Sequence, residues 1–203
     1  MKLFSSVLFA ILAFTTLASA QDNTAQRESK KWMVTVQPVG YGPNSLSSTG
    51  INLGLFLDPE SVVQVEFTSS SKATPFFTGS KDDYTINAYS IGVHYKQFVG
   101  NSFYFNAGLD LRKMDYKYES SPGNALGFKG DSTGVSVSIG NQWVFNRFTI
   151  GCDWVGFFTP LVHNTADEYH TGSQSKKDLD SDIKNYIEST SMMVTRVYLG
   201  LAF

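Results

Sequence analysis

The closing thirteen residues, Ser191 to Phe203, read SMMVTRVYLGLAF and constrain this 203-residue chain more than any other stretch. Taken in twos, Met193, Thr195, Val197, Leu199, Leu201 and Phe203 share one face of a strand, while Val194, Arg196, Tyr198, Gly200 and Ala202 share the other. The first face is apolar almost throughout; the second mixes small residues with a tyrosine and an arginine. Neither a dry sandwich core nor bulk water suits that second face. A strand with hydrocarbon on one side and a packed polar interior on the other accounts for both.

Seven earlier segments repeat the pattern, over 32–40, 49–57, 61–69, 84–98, 103–118, 131–145 and 148–158. Their outward sets are Val-, Ile-, Leu- and aromatic-rich: Val34 and Val36, Leu53 and Leu55, Val65 and Phe67, Ile91 and Val93, Leu109 and Leu111, Val135 and Val137, Trp154 and Phe158. The inward sets are Thr-, Ser-, Asn-, Gln- and Gly-rich. Pro38 has no backbone donor and belongs near a strand end or at a bulge. The connections alternate. Asp58-Pro59-Glu60, Gly100-Asn101 and Asn146-Arg147 are tight, whereas 41–48, 70–83, 119–130 and 159–190 read as long polar loops. A soluble β-sandwich has no reason to sort its connections so. The reading is an all-β, eight-stranded, antiparallel up-and-down transmembrane barrel over residues 32–203, with short turns and both termini on the periplasmic side.

The amino terminus fits export. MKLFSSVLFAILAFTTLASA has a basic start, a short apolar run and an Ala-Ser-Ala site, the signature of a signal peptide over residues 1–20. Residues 21–31, QDNTAQRESKK, are polar and aperiodic and read as a flexible periplasmic lead-in. Cys152 is the only cysteine, so no intramolecular disulfide is possible. With 16 basic and 18 acidic side chains, nothing in the charge suggests a nucleic-acid partner.

An eight-stranded barrel is only wide enough for side chains to fill. Six inward glycines, Gly54, Gly92, Gly108, Gly140, Gly151 and Gly200, make room for a polar network of Glu66, His94, Lys96, Asp110, Arg112, Asp153 and Arg196. Asp153 and Arg196 on adjacent strands are the preferred pair, and Glu66 faces His94 or Lys96. Such self-filling argues against general solute diffusion. Trp32, Phe98, Phe103, Phe145, Phe148 and Phe203 collect at one set of strand ends as an interfacial girdle, and Tyr84, Tyr116, Tyr118 and Phe158 at the other.

Residues 32–203 resemble the small eight-stranded outer-membrane proteins of the OmpX and OmpA-domain type. The resemblance implies an integral outer-membrane barrel among lipid and lipopolysaccharide, with external loops that bind surfaces or other cells. The final Phe203, with Leu201 and Leu199, resembles the signal read by the barrel-assembly machinery, and periplasmic chaperones are the implied biogenesis partners. No cofactor is implied. Some barrels of this size modify lipid A, but HNTADEYH, with His163 and His170, lacks the strand-borne His-x-Ser arrangement of those enzymes, so the chain reads as no enzyme. His163, Asp167 and His170 have helix-like spacing, yet loop histidines are more often solvated than metal-bound. Transport of small hydrophobic molecules or ions, as in OmpW-like barrels, is the alternative function. The mid-depth charges disfavour an apolar pocket. Within 178–188, Leu179, Ile183 and Ile187 recur every four residues and predict a short amphipathic helix whose stripe needs the barrel rim or another molecule.

Overall fold

The computed structural model describes residues 22–41, 47–71, 83–121, 123–172 and 176–203. The predicted leader, the tip of the first loop and the second loop over 72–82 lie outside them. Eight antiparallel strands, β1 (Trp32–Tyr41), β2 (Ser47–Asp58), β3 (Ser61–Ser71), β4 (Asp83–Phe98), β5 (Phe103–Ser121), β6 (Asn124–Phe145), β7 (Phe148–His170) and β8 (Ser191–Ala202), follow one another round a closed barrel. Closure comes from β1 pairing with β8, Met33 opposite Ala202 and Val36 opposite Leu199. The first described residues, the carboxyl terminus and the three tight turns lie at one end, here the terminal end; the other is the loop end.

One predicted loop, 119–130, is mostly sheet, and the first part of another, 159–190, is too. β5 and β6 stay paired up to Ser121 and Asn124, and β7 follows β6 to His170 opposite Leu126. β6 and β7 run 22 and 23 residues, about twice the 9–11 that a tilted strand needs to cross hydrocarbon. The upper part of this sheet reverses the inside-outside sense. Ile86, Ala88, Met114, Tyr116, Leu126 and Phe128 point inward and are buried, while Lys113, Lys117, Lys129 and Asp131 stand outside. Below, the walls are apolar outside and polar inside; above, they are those of a water-soluble barrel. The switch on β5 falls between Leu111 and Lys113.

Three irregularities shift the phase of neighbouring strands around Arg196. The β1 register breaks at Pro38, between Gln37 and Gly40, as the missing donor requires. β7 carries an extra residue at Trp154, since Asp153 faces Gly140 but Val155 faces Ile139. β8 has Thr195 at φ 48°, with Gly40 opposite Arg196 but Tyr41 opposite Val194. Strict alternation therefore fails beyond these points. Phe158 and Met193, expected outside, are buried inside, and Val194, expected inside, is exposed. Tyr116 and Phe98 also leave their predicted girdles for the interior, and Tyr118 is partly buried against the apolar cluster; the side chain of Tyr84 lies outside the described residues. Trp32 and Phe148 are exposed at the terminal end, with Phe103 and Phe145 half-buried beside them.

Helices close both ends. Where a flexible lead-in was expected, α1 (Asn23–Glu28) is capped by Asp22, whose Oδ1 accepts from Thr24 N at 3.1 Å and Ala25 N at 3.2 Å. At the loop end α2 (Lys176–Ile183) runs into a π-helical turn, Lys184–Glu188, and buries Leu179, Ile183 and Ile187 among the apolar residues of β4, β5 and β6. The predicted stripe finds its partner in the inner wall of its own barrel. Burying such side chains contributes roughly 1.5–3 kcal/mol each.

Candidate functional site in the polar lumen

Between the two caps the seven predicted charges occupy one layer. All are at least nine-tenths buried, where an unpaired charge costs several kcal/mol, so their partners decide whether the barrel holds. Arg196 on β8 donates Nε to Asp153 Oδ2 at 2.8 Å, brings Nη2 within 2.6 Å of the same oxygen, and places Nη1 2.5 Å from Glu66 Oε1 across the lumen. One guanidinium fork thus holds two carboxylates. Glu66 therefore belongs to Arg196 rather than to β4. Turned to satisfy both neighbours, the Asn52 amide donates to Glu66 Oε2 and accepts from Thr35 Oγ1, each at 3.2 Å.

Asp153 continues the chain of bonds. Its Oδ1 accepts from Tyr104 Oη, which accepts from Tyr198 Oη at 2.9 Å, which in turn accepts from Lys96 Nζ at 3.2 Å. Lys96 also donates to Gln142 Oε1 at 3.0 Å and lies over the Tyr104 and Tyr198 rings at 4.3 and 4.7 Å. Tyr104, Tyr198 and Gln142 were not singled out among the polar residues, yet they carry Lys96. Inward phasing was their one visible signal. His94 pairs separately, Nε2 to Asp110 Oδ1 at 3.1 Å, and Arg112 lays its guanidinium on Phe158 at 3.7 Å.

The glycines hold these side chains where they are. A β-carbon on Gly151 would sit 2.5 Å from Tyr198 Cε2, one on Gly140 2.7 Å from Tyr104 Cζ, and one on Gly92 2.5 Å from His94 Nε2. Below this layer Met33, Phe56, Val62, Phe98, Val144 and Ala202 form an apolar floor. Under it lies α1. Arg27, 1% exposed, donates Nε to Pro59 O at 2.6 Å and Nη1 to Asn101 O at 2.8 Å, and stacks over Phe98 at 3.9 Å. Asn23 accepts from Val144 N at 2.7 Å and Gln26 from Asn146 N at 3.2 Å, so the helix ties all three tight turns. Burial draws the Arg27 guanidinium down to about 10 against the pull of Asp22 and Glu60, which leaves it charged at neutral pH.

The outside is the inverse. Val36, Ile51, Leu53, Val65, Phe67, Ile91, Val93, Leu109 and Leu111 stand exposed round the wall, far beyond what a soluble monomer leaves in water. No protein-family model matches the chain, and no curated protein matches it. Solved structures do. The attachment invasion locus protein Ail of Yersinia pestis superposes with a TM-score of 0.52 at 10% identity, over 86% of this chain and 99% of that one. A major outer membrane protein from Thermus thermophilus gives 0.50 at 8% identity, over 86% and 98%.

The chain has the fold of the small eight-stranded outer-membrane β-barrels. In this outer-membrane barrel fold strands make the crossing, and among the described residues no helix is long and apolar enough to do so. The histidines considered for chemistry sit on β7 rather than on a helix. His163 faces Glu188 of the loop-end cap at 3.5 Å and Asp167 faces Lys129 at 3.6 Å, so the helix-like spacing gathers nothing.

Proposed function

We propose that this barrel is an integral outer-membrane protein with both termini in the periplasm, a lumen closed to solutes, and recognition carried by the sheet that projects from the loop end. The observation that carries the reading is the pairing of an apolar outer belt with an interior occupied by the Arg196 network and sealed by α1 and α2. A conducting barrel needs a continuous path, and here an apolar floor and an apolar cap lie on either side of the charges. The short turns share one end of the barrel with the first described residues and the carboxyl terminus, which supports a periplasmic side there, as such barrels arrange them. Phe203, Leu201 and Leu199 face outward on the closing strand, where assembly machinery and chaperones could read them. Lipid and lipopolysaccharide are the expected surroundings.

The recognition reading rests on exposed apolar side chains above the belt. On β7 beyond its last pair with β8, Leu161 and Val162 are 65% and 67% exposed, and Tyr169 is exposed farther up the same strand. Loops are where such scaffolds carry function, and one protein with this fold is named for attachment and invasion. Cells carrying the wild type and the double variant Leu161→Ser, Val162→Ser are to be compared for attachment to surfaces and to other cells. Attachment lost in the variant, with the barrel still folded, supports recognition. If attachment is unchanged, and liposomes bearing the wild type swell in sugar solutions while Arg112→Gln liposomes do not, conduction replaces it.

A further inference from the structure

Among the described residues, one lumenal cation has no hydrogen-bonded partner. Arg196 is taken by Glu66 and Asp153, His94 by Asp110, and Lys96 by Gln142 and Tyr198. Arg112 is 6% exposed and, among the described residues, has no carboxylate within ion-pair distance and no hydrogen-bond acceptor. It touches Phe158 through the flat face of the guanidinium. That contact leaves the five in-plane N–H donors unused. Phe158 is there because of the extra residue at Trp154, and Gly134 makes its place: a β-carbon at that position would lie 2.7 Å from Phe158 Cζ.

Arg112 borders a cavity of about 50 Å³, which Ser136, Thr68 and Ser90 also line. That is several times the roughly 10–15 Å³ that a single water requires. Ser136 Oγ is buried there beside Asp110 without a partner at full hydrogen-bond distance, and Ser132 Oγ, on the residue opposite Arg112 in the β5–β6 ladder, is buried without a partner. Orphaned buried hydroxyls are rare, and burying the Arg112 guanidinium costs more than its attraction to Asp110 returns. Asp110 and Glu66 reach the same cavity, but His94, and Arg196 with Asn52, already engage them. Water would satisfy the donors but leave the local charge of Arg112 only partly offset by Asp110. A small anion satisfies the donors and offsets the charge, since it only accepts hydrogen bonds. We propose that Arg112 and Ser136, at the level where the polar lumen meets the apolar cap, form a buried site for one small inorganic monoanion of about the size of chloride.

The mature protein folded in detergent is to be melted in chloride and in gluconate, an anion too large for the cavity, at equal ionic strength. With chloride about fivefold above its dissociation constant, the wild type should melt about 2–4 °C higher than in gluconate. The difference should vanish in Arg112→Gln and shrink in Ser136→Ala. No difference in the wild type, or an equal one in Arg112→Gln, overturns the proposal. Should Arg112→Gln fail to fold, wild-type crystals soaked in bromide decide. An anomalous peak against the Arg112 guanidinium supports the site, and water alone in the cavity overturns it.

Discussion

Arg196 holds two carboxylates, which makes the lumenal pairs unequal. Removing Asp153 leaves the guanidinium still bonded to Glu66, whereas removing Arg196 strands both acids in a space without bulk water. Loss of one partner from a buried pair costs about 3–5 kcal/mol. Arg196→Met should therefore destabilise the barrel more than Asp153→Asn, and the double variant less than the sum of the two. Urea unfolding of the four proteins in a double-mutant cycle reads this directly. Additive effects, or an Asp153→Asn cost as large as that of Arg196→Met, would remove Arg196 from the centre of the network.

At the scale of elements, the loop-end helix is part of the fold rather than an appendage. Its Asp182 sits where Tyr116 Oη donates to Oδ2 at 3.1 Å, and burial raises the carboxyl above its usual range, only partly countered by that bond and reinforced by Asp178. The sign follows. A carboxyl raised in the folded state binds its proton more tightly there, so its contribution to docking is complete below the ordinary carboxylate range and is lost as pH rises through the raised value. Protection from hydrogen exchange over 176–188, taken relative to the intrinsic rate at each pH, should be higher at mildly acidic than at neutral pH, and Asp182→Asn should keep it high at both. An unchanged pH dependence in Asp182→Asn would show that another group controls the cap. The stripe that builds this helix was legible, because Leu179, Ile183 and Ile187 keep one spacing. The helix α1 was not, since it buries Asn23 and Arg27 instead of an apolar face, and the Asp22 cap was its one local signal. Alternation likewise revealed every strand but assumed an unbroken phase, so Phe158 and Met193 were assigned to the wrong side of extra residues that two-residue counting does not detect.

Over the whole molecule, the barrel joins two environments in one continuous sheet. From Trp32 to Leu111 the outward face belongs to hydrocarbon, and above Lys113 it belongs to water, with a helix completing the upper core as it would in a soluble protein. The sequence shows the lower half plainly because its apolar residues face out, against the usual order. The upper part of β6 reads as loop because Gly127, Lys129 and Gly130 dilute the inward Leu126 and Phe128. The belt itself is the claim on which the account depends. Cells expressing the full chain are to be fractionated, and their membranes washed at alkaline pH and separated on a density gradient. The account predicts that the protein stays with the outer membrane through the wash; recovery in the soluble periplasmic fraction, or release by alkali, would contradict it.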